Sequence, residues 1–254
     1  MKKLLICVIA ASFSFTNAIA EEKHAEKDAQ HPHWSYEGKT DPSHWGELQS
    51  EFAACSIGKE QSPVDIRNVK KQELLPAIVF NYVANSAEVV NNGHTIQVNL
   101  QSGSTVKLAS GEYKLVQFHF HAPSEEKIEG KNYPLVGHFV HRADDGKLAV
   151  VAVLFKEGKS NPALARIFDV MPAEVDAKAA LGADFSPADL LPGNQSYYSF
   201  MGSLTTPPCS EGVQWQVLKT PVELSDAQLK IFKKLYRNNA RPVQPLNGRV
   251  IREG

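Results

Sequence analysis

The sequence predicts a single β-dominated domain of mixed α/β content, built on a large, twisted, mostly antiparallel sheet with a few surface helices. Three observations carry this: short runs rich in β-branched and aromatic residues, turn-forming punctuation at close spacing, and little helical periodicity. The predicted strands cover Ile78–Tyr82, Glu88–Asn91, Thr95–Leu100, Thr105–Ala109, Tyr113–His121, Leu135–Arg142, Leu148–Phe155 and Val213–Leu218. Asn91-Asn92-Gly93, Ser102-Gly103, Ser110-Gly111 and Asp144-Asp145-Gly146 separate them. Connections this short favour antiparallel neighbours. The best helix is SDAQLKIFKKLYRN, where Ser225 and Gln228 have capping-box spacing and Leu229, Phe232 and Tyr236 share a face. A weaker one spans Asn161–Phe168.

The chain opens MKKLLICVIAASFSFTNAIAEE. Lys2 and Lys3 form a charged head, Leu4 to Phe15 an apolar body, and Ala18-Ile19-Ala20 a small-residue cleavage site. Residues 1–20 therefore read as a secretory signal peptide, too short to span a bilayer as a stable helix. Cys7 lies inside the apolar stretch with no small-residue motif before it, which argues against a lipoprotein. No later segment approaches about 18 uninterrupted apolar residues, so no membrane anchor is expected. Residues 21–32 read as a flexible polar segment and 33–254 as the folded domain. His24 and His31 in this segment, with His33 at its edge, could bind a metal loosely, but a solvated tail is the simpler reading. Cleavage removes two lysines, which leaves 25 basic against 28 acidic residues and a net charge of −3. That balance does not suggest a nucleic-acid or membrane-surface partner. Cys55 and Cys209 remain, and in an exported chain one disulfide is the expected state, with two free thiols as the alternative.

The run QFHFHAPS holds the chemistry. Residues two apart on a strand share a face, so His119 and His121 project together while Phe118 and Phe120 point into a core. If residues 113–121 and 135–142 form a hairpin centred between Glu129 and Gly130, His121 lies opposite His138. A slip of one residue would turn His138 away. His141 falls on the other face and is left out of the cluster. Three neutral imidazoles with an open position suit a catalytic zinc, whereas a closed structural site would recruit a fourth ligand. The bland alternative is three satisfied histidines on a half-exposed face.

QFHFH, PSEE, GHFVH and SLTTPPCSEGVQW, with QSPVDI and VNNGHTI upstream and RPVQPLNGR downstream, resemble the α-class carbonic anhydrases of the secreted bacterial type. The resemblance runs from about His33 to Arg249. It implies a mostly antiparallel sheet of about ten strands, and reversible hydration of CO2 to bicarbonate and a proton by zinc-hydroxide attack. It implies zinc ligands His119, His121 and His138, with Thr205 orienting the hydroxide and Glu125 accepting the proton of Thr205. Thr206 matches a residue that contacts bicarbonate, and Val140, Val150, Leu204, Val213 and Trp215 match an apolar wall for CO2. His94 matches the proton shuttle, Tyr36 a tyrosine of the solvent network, and Gln117 the residue that orients the first ligand. Two positions depart from the family. Val136 stands where a glutamate often holds the third ligand, so His138 is expected to use water or a carbonyl, or to go without. Glu126 stands where histidine is common, and its charge is expected to raise the Glu125 pKa. A catalytically silent relative acting as a binding module, and a zinc esterase, are the competing readings. The retained ligands argue against the first, and the lack of a marked acyl pocket against the second. The implied partners are CO2 and bicarbonate, with a homodimer allowed and an exported location, periplasmic or secreted.

Overall fold

The computed structural model describes residues 34–254 apart from 72–74 and 102, with the backbone alone for 70 and 71. The expected signal peptide, the polar segment and its histidines lie outside the described residues. Eight longer strands build the sheet: β1 (Asn85–Asn91), β2 (Ile96–Leu100), β3 (Gly111–His121), β4 (Leu135–Arg142), β5 (Leu148–Glu157), β6 (Lys178–Phe185), β7 (Tyr197–Ser203) and β8 (Glu211–Leu218). Their order is β6-β1-β2-β3-β4-β5-β8-β7, continued by Arg252–Glu253 and Lys70–Lys71. Three shorter strands attach beside this path, giving 13 in one sheet among the described residues. Most pairs are antiparallel, but β5 and β8 run parallel.

β3 alternates as its sequence demands. Phe118 and Phe120 are fully buried on one face, where helices α1 (Pro162–Val170) and α2 (Asp226–Lys233) close over them. The Phe120 ring meets Phe168 of α1 at 5.7 Å and Phe232 of α2 at 6.2 Å. Asn161 caps α1 by accepting from the Leu164 N–H, and Ser225 with Gln228 forms the capping box of α2. The Gln228 amide also donates to the Asn161 carbonyl at 2.7 Å, so the two caps lock each other. α2 ends at Lys233, earlier than the amphipathic pattern suggested.

β4 is buried on both faces. Leu135 and Phe139 join the phenylalanine core, while Val136 packs with Val150, Ala152, Val213 and Trp215 in a second apolar cluster behind the opposite face. The histidines sit at the boundary of that second cluster.

Candidate metal centre

β3 and β4 bring the histidines together, although not in the register expected. His138 lies opposite His119, and His121 opposite Val136. The turn itself is where the sequence put it, because Lys127 pairs with Asn132 and Ile128 with Lys131 around Glu129-Gly130. The arms joining this small ribbon to the main strands are unequal. Five residues, 122–126, leave His121, whereas three, 133–135, return to Val136. The two extra residues shift the register by two, an even number, so His138 keeps its face.

The ring centroids of His119, His121 and His138 lie 4.8–5.6 Å apart. One ligating atom from each falls within 4.8 Å of the others. Each ring is held by its far nitrogen. His119 Nδ1–H donates to Gln117 Oε1 at 2.9 Å, His121 Nδ1–H to the Asn239 carbonyl at 2.6 Å, and His138 Nε2–H to Glu126 Oε1 at 3.0 Å. These bonds fix the tautomers and leave the other nitrogen of each ring as a lone-pair donor. His121 is 1 % exposed, and its Nε2 has no hydrogen-bond partner. A buried nitrogen without a partner beside two further imidazoles is the arrangement a metal ion satisfies. Burial, with the His138 charge as a second cause, lowers His119 to about 3. The same two causes hold His121 well below its ordinary value. Both rings are therefore neutral at physiological pH, as ligation requires. Burial also opposes charge on His138, but the Glu126 and Glu125 carboxylates outweigh it and the shift is upward.

Glu126 corrects one expectation. The third histidine neither goes without an acceptor nor relies on a carbonyl, because the residue after Glu125 turns back onto it. Its neighbour behaves as expected: burial pushes Glu125 up to about 7, with His138 opposing and the Glu126 charge adding to the rise. Glu125 Oε1 accepts from the Arg241 N–H at 2.7 Å, and the Thr205 hydroxyl interacts with the same carboxylate. Thr205 stands in the loop between β7 and β8, which the Cys55–Cys209 disulfide ties to a one-turn helix at Ala54–Ile57. The bond expected from the cysteine count is thus formed.

Val150, Val213 and Trp215 are buried, and Val140 and Leu204 pack partly buried against them. The Trp215 ring meets His138 edge-on at 4.9 Å, so this wall adjoins the histidines. Thr206 is half-buried beside Thr205. His94 lies on the turn after β1, its ring stacked on Trp34 at 3.6 Å and nearly parallel. Tyr36 packs edge-on against Trp34 and Trp45, and burial raises its pKa well above the usual value. His141 points away, fully buried, with its Nε2 2.7 Å from the Tyr82 hydroxyl.

Sequence reasoning missed Asn239, Arg241, Trp34 and the contact of Glu126. Asn239 joins the His94 turn to β3 through its side chain, donating to the His94 and Phe120 carbonyls and accepting from the Ala122 N–H. Nothing local in RNNARP announces that role.

A family model described as eukaryotic-type carbonic anhydrase matches residues 40–254. A carbonic anhydrase of Pectobacterium atrosepticum is 47 % identical over 220 residues, 86 % of this chain and 90 % of the relative. One of Neisseria gonorrhoeae is 46 % identical over 231 residues, 90 % and 91 %. Among solved structures, the α-carbonic anhydrase of Thermovibrio ammonificans in complex with sulfanilamide superposes with a TM-score of 0.84 at 48 % identity, covering 87 % of this chain and 98 % of that one. With the histidine cluster in place and the match extending through the last residue of the fold, the chain belongs to the eukaryotic-type, or α-class, carbonic anhydrase family.

Proposed function

We propose that this carbonic anhydrase hydrates CO2 reversibly to bicarbonate and a proton on a zinc ion held by His119, His121 and His138. The observation that carries the reading is the convergence of three imidazoles whose far nitrogens are already engaged, one of them leaving a buried nitrogen without a partner. Zinc bound in such a site lowers the pKa of its water to about 7, a value for which this enzyme class is the usual example. The protein's own groups then set direction and access. The Thr205 hydroxyl, donating to Glu125, can accept a hydrogen bond only from the reacting water, and so aims an oxygen lone pair at the substrate. Val140, Val150, Leu204, Val213 and Trp215 offer CO2 an apolar surface that water does not favour. Thr206 contacts the bicarbonate formed, and Tyr36 orders solvent between the site and His94. Gln117 holds His119 as a ligand. The disulfide and the signal-like leader support export, to the periplasm or beyond. No helix among the described residues is long and apolar enough to cross a membrane.

Stopped-flow CO2 hydration before and after chelation, beside a zinc assay, tests this. About one zinc per chain and loss of hydration on chelation are expected. Full zinc occupancy without chelator-sensitive hydration would favour the silent binding module instead.

Each hydration releases a proton, and His94 is the group proposed to carry it, because an imidazole can both accept and release a proton. His94→Ala is expected to lower kcat in weak buffer by up to about 100-fold, with kcat/KM nearly unchanged because carbon–oxygen bond formation precedes the transfer. Added imidazole restores part of the loss. An unaltered kcat in weak buffer removes His94 from the role.

A further inference from the structure

We propose that Glu126 positions His138 and strengthens it as a metal donor, a task delivered from the loop between β3 and β4 because β4 itself cannot supply it. The proposal rests on the zinc reading above. His138 Nε2 lies 3.0 Å from Glu126 Oε1 and 3.3 Å from Oε2, so both carboxylate oxygens face one N–H. The two side chains are 1 % and 0 % exposed. Among the described residues, no lysine or arginine comes within ion-pair distance of the Glu126 carboxylate, and His138 is the basic side chain that meets it. A carboxylate withdrawn from water is costly unless a partner offsets the lost hydration. Neither lysine nor arginine does so here, so the imidazole is the reason the charge can be buried.

The strand offers no substitute. Val136 is two residues before His138 on β4 and shares its face, but it is fully buried and packs into the apolar cluster with Val150 and Trp215. The loop is built to deliver the carboxylate. Ser124 exchanges backbone and side-chain hydrogen bonds with Tyr133, its N–H donating to the Tyr133 carbonyl at 2.8 Å and its Oγ accepting from the Tyr133 N–H at 2.9 Å. The same hydroxyl donates to the Glu126 carbonyl at 2.7 Å. On the other side the Lys127 N–H donates to the Val64 carbonyl at 3.2 Å. The peptide group that follows Glu126 is thus held at both its C=O and its N–H. The two-residue excess of the outgoing arm, which shifts the register, is the length that carries the carboxylate back over His138.

The three ligands are consequently not equivalent. His119 and His121 donate to neutral amide oxygens, whereas His138 donates to a carboxylate. A charged acceptor makes the stronger hydrogen bond and raises the basicity of the opposite ring nitrogen.

Zinc dissociation constants from chelator competition, with visible spectra of the cobalt-substituted protein, test this in the full chain. Glu126→Ala is expected to weaken zinc binding by about 10–100-fold and to shift the cobalt bands. Glu126→Gln keeps the shape and an acceptor but not the charge, so it should fall between and serves should the alanine variant not fold. Adding Val136→Glu to Glu126→Ala puts a carboxylate on the same face of β4, and is expected to recover at least part of the affinity and the parent spectrum. Parent-like affinity and spectrum in both single variants would overturn the proposal. A parent protein that binds no zinc would overturn the zinc reading itself, and the two failures are distinguished by the unsubstituted chain.

Discussion

His121→Ala is expected to strip zinc from the protein and to reduce CO2 hydration by at least about 1000-fold, to the level of the chelated parent. The size follows from what a bound zinc would contribute: without it the reacting water would return from a pKa of about 7 to that of bulk water, and hydroxide at neutral pH would all but vanish. Two imidazoles remain in the variant, His119 on β3 and His138 on β4, and they do not make a site that retains zinc against a chelator. The fold should survive. Among the described residues the His121 ring makes one hydrogen bond, to the Asn239 carbonyl, with Glu125 Oε1 3.5 Å from the same nitrogen, and its Nε2 makes none, so its removal costs the metal-free chain no more than that of another buried histidine. His141→Ala is the matched control. It too deletes a fully buried histidine, but from the opposite face of β4, where the ring contacts Tyr82. It is expected to lower stability by about 1–3 kcal/mol, because the Tyr82 hydroxyl loses its partner, while leaving zinc stoichiometry intact. Zinc content by atomic absorption and stopped-flow rates on both variants decide the matter. Retention of zinc and activity in His121→Ala would end the assignment of the site.

The contrast between those two histidines shows what was readable in the sequence. Period-two alternation separates His119 and His121 from Phe118 and Phe120, and the same counting sends His141 away from His138. Those are local facts, and local facts survive. The register was misread because the arms of the connection differ in length, which no alternation reveals, and the cluster persisted because the difference is even. All eight predicted segments overlap strands, six of them among the eight longer ones, since alternation and turn residues agreed there. β6, KAALGADF, was missed because alanine and glycine carry little β preference, and its pairing with β1 is irregular around Gly182. β7, YYSFMGS, ends in small residues that read as loop. The parallel pairing of β5 with β8 joins segments about sixty residues apart, so only the packed fold decides it. Asn239, Arg241 and Glu126 act through contacts of loops, which leave no periodic trace. Glu126 is the instructive case. Its residue type and its proximity in sequence to Glu125 are legible, yet its bond to His138 depends on a chain reversal that only the three-dimensional structure supplies.

Removing the disulfide, by Cys55→Ser with Cys209→Ser, is expected to lower stability by up to about 5 kcal/mol and the melting temperature by about 10–20 °C. The estimate comes from loop length, since the bond closes a sequence separation of 154 residues and its loss frees that span in the unfolded chain. A second consequence follows from what the bridge holds. The Cys209 N–H donates to the Thr206 carbonyl at 2.9 Å, and the Cys209 carbonyl accepts from the Gln61 amide at 3.0 Å. The Cys55 carbonyl accepts from Arg241 Nη2 at 2.9 Å, and the Arg241 N–H in turn donates to Glu125. The bond therefore ties the Thr205 loop and the Glu125 carboxylate to one anchor. The histidines need no such tie, because β3 and β4 pair without a break from His121 and Val136 to Gln117 and Val140, the stretch that holds all three. In the double variant, well below its melting temperature, zinc content should hold while kcat falls, since Thr205 loses its fixed position against Glu125. Thermal unfolding with and without reductant, beside zinc assay and rates at 15 °C below the transition, separates the two effects. Unchanged melting together with unchanged kcat would mean that the bridge neither restrains the unfolded chain nor steadies the threonine. Parallel loss of zinc would move its influence from the loop to the strands.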